Sequence, residues 1–226
     1  MKCFNLVYLF VFITVFIFTG DFARANDIEK KFINAGLVDV SSIDNSIKVD
    51  LVNSDPKKNF FRENYYNGLS KAYLRKEIAL KLSKAHKMLK TRHPGYSLLI
   101  LDAARPRSVS RLMYEKMKGT KFEKYVANPN NGSMHNYGVA VDITIVDENG
   151  EELDMGFSPF RKSTFEIYWQ FVKMKLRFDL NDKQIGNRKL LSETMISAGF
   201  LPLGHEWWHF NGMPKELARK KYQIIE

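Results

Sequence analysis

The chain has 226 residues, with 35 Lys and Arg against 25 Asp and Glu and a formal net charge of +10 at pH 7. That length suits one well-buried domain, and the single cysteine, Cys3, rules out a disulfide framework. The basic excess comes without a zinc-finger, helix-turn-helix or RNA-binding signature, which argues against nucleic acid and leaves anionic envelope polymers as the simpler partner.

Residues 1–25 read as a cleaved secretory signal. Lys2 is basic, Leu6 to Phe18 is nearly unbroken apolar sequence, and Ala23-Arg24-Ala25 offers a small-x-small cleavage site. The apolar run is shorter than the roughly 20 residues that span a bilayer, although an uncleaved anchor is an alternative. Residues 26–226 are then expected to form a single exported domain, periplasmic or at the cell envelope. Without disulfides, its stability must come from core packing, to which a bound metal could add.

Leu69 to Leu89 reads as an amphipathic helix with Ile78, Leu82, Ala85 and Leu89 on one face. Tyr96 to Leu101 reads as a buried strand that ends just before Arg105, and Pro106 keeps Arg105 extended. A short helix is expected over Val109–Met117, then a turn at Asn128–Gly132. The β-branched run from Val139 to Val146 predicts a strand, closed by a hairpin turn at Asp147–Gly150. Glu166 to Leu180 reads as a helix covering the site. Asn187 can cap a helix that ends at Gly199, and Pro214 to Glu226 reads as a polar surface helix. The mixture predicts an α+β fold: a small antiparallel sheet carrying the site, with helices packed against it.

Two clusters carry the chemistry. In Ser133-Met-His135-Asn-Tyr-Gly138-Val-Ala-Val-Asp142, the aspartate falls inside an apolar strand. A buried carboxylate needs a partner, and a metal ion or a Lys or Arg could serve. His135 alone could be an ordinary hydrogen-bonded polar residue. The second cluster is Glu206-Trp-Trp-His209. In a helix its spacing puts both polar residues on one face; in a strand it puts them on opposite faces unless a bulge or strand end intervenes. The flanks look like a strand, so local distortion is expected there. Together the clusters supply two imidazoles, one carboxylate ligand and one spare carboxylate, the parts of a hydrolytic zinc site.

The pattern Ser133-x-His135-x-x-Gly138-x-Ala140-x-Asp142 followed by Glu206-x-x-His209 resembles the D-alanyl-D-alanine metallopeptidases, a group related to lysostaphin-type endopeptidases and the hedgehog domain. The Trp doublet resembles the D-alanyl-D-alanine dipeptidase branch, the vancomycin-resistance type, as do Gly36–Asn45 and Ile47–Leu51. The resemblance implies one Zn2+ per chain held by His135, Asp142 and His209, with Glu206 as catalytic base. It also implies that Arg105, from Asp102-Ala-Ala-Arg105-Pro106, stabilises the oxyanion and that Ser133 binds substrate. Without the resemblance, Arg105 would read as an ion pair with Asp102 and Ser133 as a turn hydroxyl.

Two positions depart from that branch. Asn53 stands where a tyrosine is usual, and Arg161 stands where an aspartate associated with the dipeptide's amino end is expected. An arginine would repel an ammonium group. The expected activity is hydrolysis of D-Ala-D-Ala or a peptidoglycan-derived peptide. The alternatives are a D,D- or L,D-carboxypeptidase trimming longer stem peptides and a non-catalytic zinc-containing cell-wall binding module.

Overall fold

The computed structural model describes residues 27–120, 123, 126–156, 180–204 and 206–226. The expected signal segment, residues 166–179 of the expected helix and Arg161 lie outside these. None of the described helices is long and apolar enough to cross a membrane.

The architecture is α+β. Helix α1 (27–34) leads into β1 (Leu37–Asp39), which pairs antiparallel with β3 (Tyr73–Arg75). A second sheet has the order β2-β4-β5-β7-β6, from β2 (Lys48–Val49), β4 (Ser97–Asp102), β5 (Ala140–Val146), β6 (Leu201–Leu203) and β7 (Glu206–Asn211). Its pairings are antiparallel except β2 with β4, which is parallel. The two-residue β2 carries no periodic signal, so that edge was not legible in the sequence.

Helix α2 (Lys76–Arg92) buries Ile78, Ala79, Leu82, Ala85 and Leu89 at helical spacing. Glu77 in its first turn and Lys90 and Arg92 in its last complement the helix dipole. The expected start at Leu69 is corrected: Tyr73, Leu74 and Arg75 are buried as a strand, because β1 offers them a pairing edge. Helix α3 (Arg107–Met117) follows Pro106, whose fixed φ suits a helix entry. Helix α4 (Asp182–Ser197) also starts earlier than expected. Asn181, not Asn187, caps it by accepting from Gln184 N at 2.9 Å, while Gln184 Oε1 accepts from Asn181 N at 3.1 Å.

Alternation along β4 and β5 gives the sheet two buried faces. Leu98, Ile100, Ile143 and Ile145 join the residues of α2 in the main core, each burial contributing about 1.5–3 kcal/mol. Leu99, Leu101 and Val146 pack with Val52 on the other face, the face shared by Thr144 and Asp142. The C-terminal tail is more than a surface helix. After α5 (Lys215–Lys221) it returns to the core: Ile225 is buried, donates its N–H to Asn136 O at 2.8 Å and accepts from Arg107 N at 2.7 Å.

Candidate metal centre

Register alone assembles much of the site. Asp102 on β4 pairs with Asp142 on β5, and Asp142 pairs with His209 on β7, so the three lie side by side across the sheet. For Asp102 this needs a bulge. Ile100 opposes Ile143 and Asp102 opposes Asp142, leaving Leu101 as the extra residue. A second irregularity shapes the hairpin. Pro202 pairs with Phe210 and Leu203 with Glu206, so Trp207, Trp208 and His209 have no counterpart on β6. The distortion expected from Glu-x-x-His in a strand is therefore present.

His135 comes from outside the sheet, on a single 3-10 turn, Met134–Tyr137. The turn ends at Gly138, whose φ of 70° a side chain would strain. A Cβ there would also lie 2.8 Å from Leu37 Cδ2. Asn136 and the Arg105 main chain lock the turn in place. Arg105 N donates to His135 O at 3.0 Å, and Asn136 Nδ2 donates to Arg105 O at 2.8 Å and Ser110 Oγ at 2.9 Å. Asn136 Oδ1 accepts from Ser133 N at 2.7 Å.

Three buried donor atoms converge. His135 Nε2 lies 3.2 Å from His209 Nδ1 and 3.4 Å from Asp142 Oδ1, and His209 Nδ1 lies 3.0 Å from Asp142 Oδ1. Ligands about 2.0–2.1 Å from a tetrahedral ion stand about 3.3 Å apart, so the triangle has the right size for one. The outer ring nitrogens fix the tautomers. His135 Nδ1 donates to Ala103 O at 2.6 Å and His209 Nε2 to Asn211 Oδ1 at 3.0 Å. Both remaining nitrogens then present lone pairs toward each other and toward a carboxylate oxygen, an arrangement that calls for a cation. Among the described residues, His135, Asp142 and His209 form a group that can hold a metal ion.

The electrostatics suit that purpose. Burial opposes the Asp142 charge, but His135 and His209 outweigh it and hold the carboxyl far below the usual carboxylate range. Burial likewise opposes charge on His209, while Asp142, Glu206 and Asn211 together raise it. Glu206, half-buried at the start of β7, is thus near enough for its charge to act on His209.

Arg105 forms the ion pair with Asp102 that their spacing allows. Its Nε donates to Asp102 Oδ2 at 3.0 Å and its Nη2 to the same oxygen, while Nη2 lies 3.9 Å from Asp142 Oδ2. It is an ion-pair partner of Asp102 and a neighbour of the metal group at once. Burial works against its charge, but Asp102, Tyr66 and Asp142 outweigh that and raise its pKa. Ser133 is the N-cap of the turn that carries His135, and its Oγ is buried. Sequence reasoning missed Tyr66 and gave Asn53 no structural role. Asn53 Nδ2 donates to Asp102 Oδ2 at 3.0 Å, and Tyr66 OH to Asp102 Oδ1 at 2.6 Å. No sequence spacing links these residues to the motifs.

A family model described as D-ala-D-ala dipeptidase matches residues 34–225. The chain belongs to this peptidase family. Two curated relatives are similar to it, both D-alanyl-D-alanine dipeptidases. The protein from Synechocystis sp. is 28% identical over 65% of this chain and 71% of its own length. The Escherichia coli protein is 31% identical over 51% of this chain, which spans only 55% of that relative. A solved structure of the LdcB LD-carboxypeptidase aligns over 66% of this chain and 63% of its own at 20% identity and a TM-score of 0.39, too loose a likeness to bear on function.

Proposed function

We propose that the chain is a zinc-dependent dipeptidase that hydrolyses D-alanyl-D-alanine to D-alanine in cell-wall peptide turnover. The observation that carries this reading is the triangle of inward-facing donor atoms on His135, Asp142 and His209, with each imidazole fixed from behind. Two imidazoles and one carboxylate suit zinc and leave a coordination position for water. Zinc bound there would polarise the scissile carbonyl and lower the pKa of water. Glu206 takes the proton of the attacking water and passes it to the leaving amine. Arg105, kept charged, donates to the oxygen on which charge develops. Ser133, at the N-cap of the turn that carries His135, offers its hydroxyl to the substrate backbone.

The deciding variant is Glu206→Ala. It should keep one zinc per chain and lose turnover of D-Ala-D-Ala. Unchanged turnover would remove Glu206 as base. A second reading, a carboxypeptidase trimming longer stem peptides, is favoured by Asn53. Its amide donates to Asp102 where the dipeptidase branch usually has a tyrosine, and Arg161 stands where the aspartate for a free amino end is expected. A purely binding role fits less well, because the Glu206 charge acts on His209 and Arg105 Nη2 lies 3.9 Å from Asp142 Oδ2. An exported location, with residues 1–25 removed as a signal, is part of this proposal.

A further inference from the structure

The geometry points to Asp102 as a positioning residue that aims Arg105 at the reacting carbonyl, with Tyr66 and Asn53 as the neutral donors that hold Asp102 in place. This rests on the hydrolytic reading above. Asp102 has no exposed surface and accepts five donors. Its Oδ2 takes Asn53 Nδ2, Arg105 Nε and Arg105 Nη2, and its Oδ1 takes Tyr66 OH and Ala103 N. A carboxylate offers about four lone-pair sites, so this one is saturated and cannot swing.

The two neutral donors come from one long connection between β2 and β3, Asn53 from a 3-10 turn at Val52–Ser54, and the connection is folded back on itself by Tyr65 N donating to Asn53 O at 2.9 Å. Tyr66 is fully buried, and burial, then the Asp102 charge, holds its phenol well above 10. It therefore stays protonated and donates. A simple surface ion pair needs none of this. With Nε and Nη2 on one oxygen the guanidinium plane is fixed, and Nη1 is left without a partner among the described residues. That N–H edge is the one free for a developing negative charge. The bulge at Leu101 serves the same end, because without it Asp102 would not stand opposite Asp142.

The test uses the zinc-loaded chain with Tyr66→Phe, Asn53→Ala and Asp102→Asn, each with and without Arg105→Ala. Tyr66→Phe should lower kcat about tenfold, the scale of one hydrogen bond to a charged group, with KM and zinc content unchanged. It should cost nothing further once Arg105 is gone. Hydrogen exchange at the Arg105 Nε–H, followed by NMR, should be slow in the parent chain and faster in all three variants. Should Asp102→Asn fail to fold, Tyr66→Phe and Asn53→Ala carry the same readouts. Equal losses with and without Arg105, or unchanged exchange in the variants, would overturn the assignment. If the parent chain cleaves no peptide, the hydrolytic reading fails, while the exchange measurement still decides whether Asp102 fixes Arg105.

Discussion

Asp102 and Asp142 are direct cross-strand partners, both buried, and Arg105 lies against both. Like charges facing each other across a sheet repel, and burial magnifies the cost. Arg105 offsets it from one side and a metal ion bound by Asp142 would offset it from the other. Structure and chemistry thus share the same charges.

Replacing Arg105 should therefore damage two things at once. Arg105→Leu leaves Asp102 without its counter-charge and should destabilise the fold by about 3–5 kcal/mol. Where the variant stays folded, kcat should fall about 100–1000-fold, the scale for removing one oxyanion donor. Arg105→Lys should restore more stability than activity, because lysine supplies charge without the fork. Denaturant melts and steady-state kinetics on the same preparations check both halves.

Metal binding should stabilise the folded chain. Free zinc at 100 times its dissociation constant adds about 2.7 kcal/mol. Calorimetry with and without chelator should show that shift in the parent chain and none in His135→Ala or His209→Ala. A full shift in either variant would place the metal elsewhere.

Asn136 has no exposed surface and joins Ser133, Arg105 and Ser110 in one knot. Asn136→Ala strands a buried main-chain N–H and C=O, each costing about 1–3 kcal/mol. Melting temperature and zinc affinity should both fall, because the turn carrying His135 loosens.

His86 gives a pH dependence away from the metal. It is buried, with Nδ1 3.1 Å from Asp44 Oδ2 and Nε2 3.1 Å from Ser97 Oγ. Burial lowers its pKa below 6.5, and the Asp44 contact opposes this without reversing it. The unfolded chain therefore binds the extra proton first. Stability from this group is complete above about pH 6.5 and drains away as pH falls below it. Denaturant midpoints between pH 5 and 8 should show that slope, and His86→Gln should flatten it.

The sequence was most legible where residue type and spacing coincide with a physical demand. A β-branched run that buried an aspartate could be read as β5, and it is β5 that places Asp142. The Glu-x-x-His spacing demanded a distorted strand, and the pairing of β6 with β7 supplies one. What could not be read depends on contacts between distant segments. Tyr66 and Asn53 reach Asp102 across separations of 36 and 49 residues, and nothing in local patterning marks them. The start of α2 was misplaced for a similar reason. Tyr73 to Arg75 have no helix-breaking residue, and only pairing with β1 makes them a strand.

The most direct measurement is D-alanine release from D-Ala-D-Ala by the purified chain, first stripped of metal and then titrated with zinc. The account predicts no release from the stripped protein and release that rises to a plateau at one zinc per chain. Full activity in the stripped protein, or none from a folded chain holding one zinc, would contradict it.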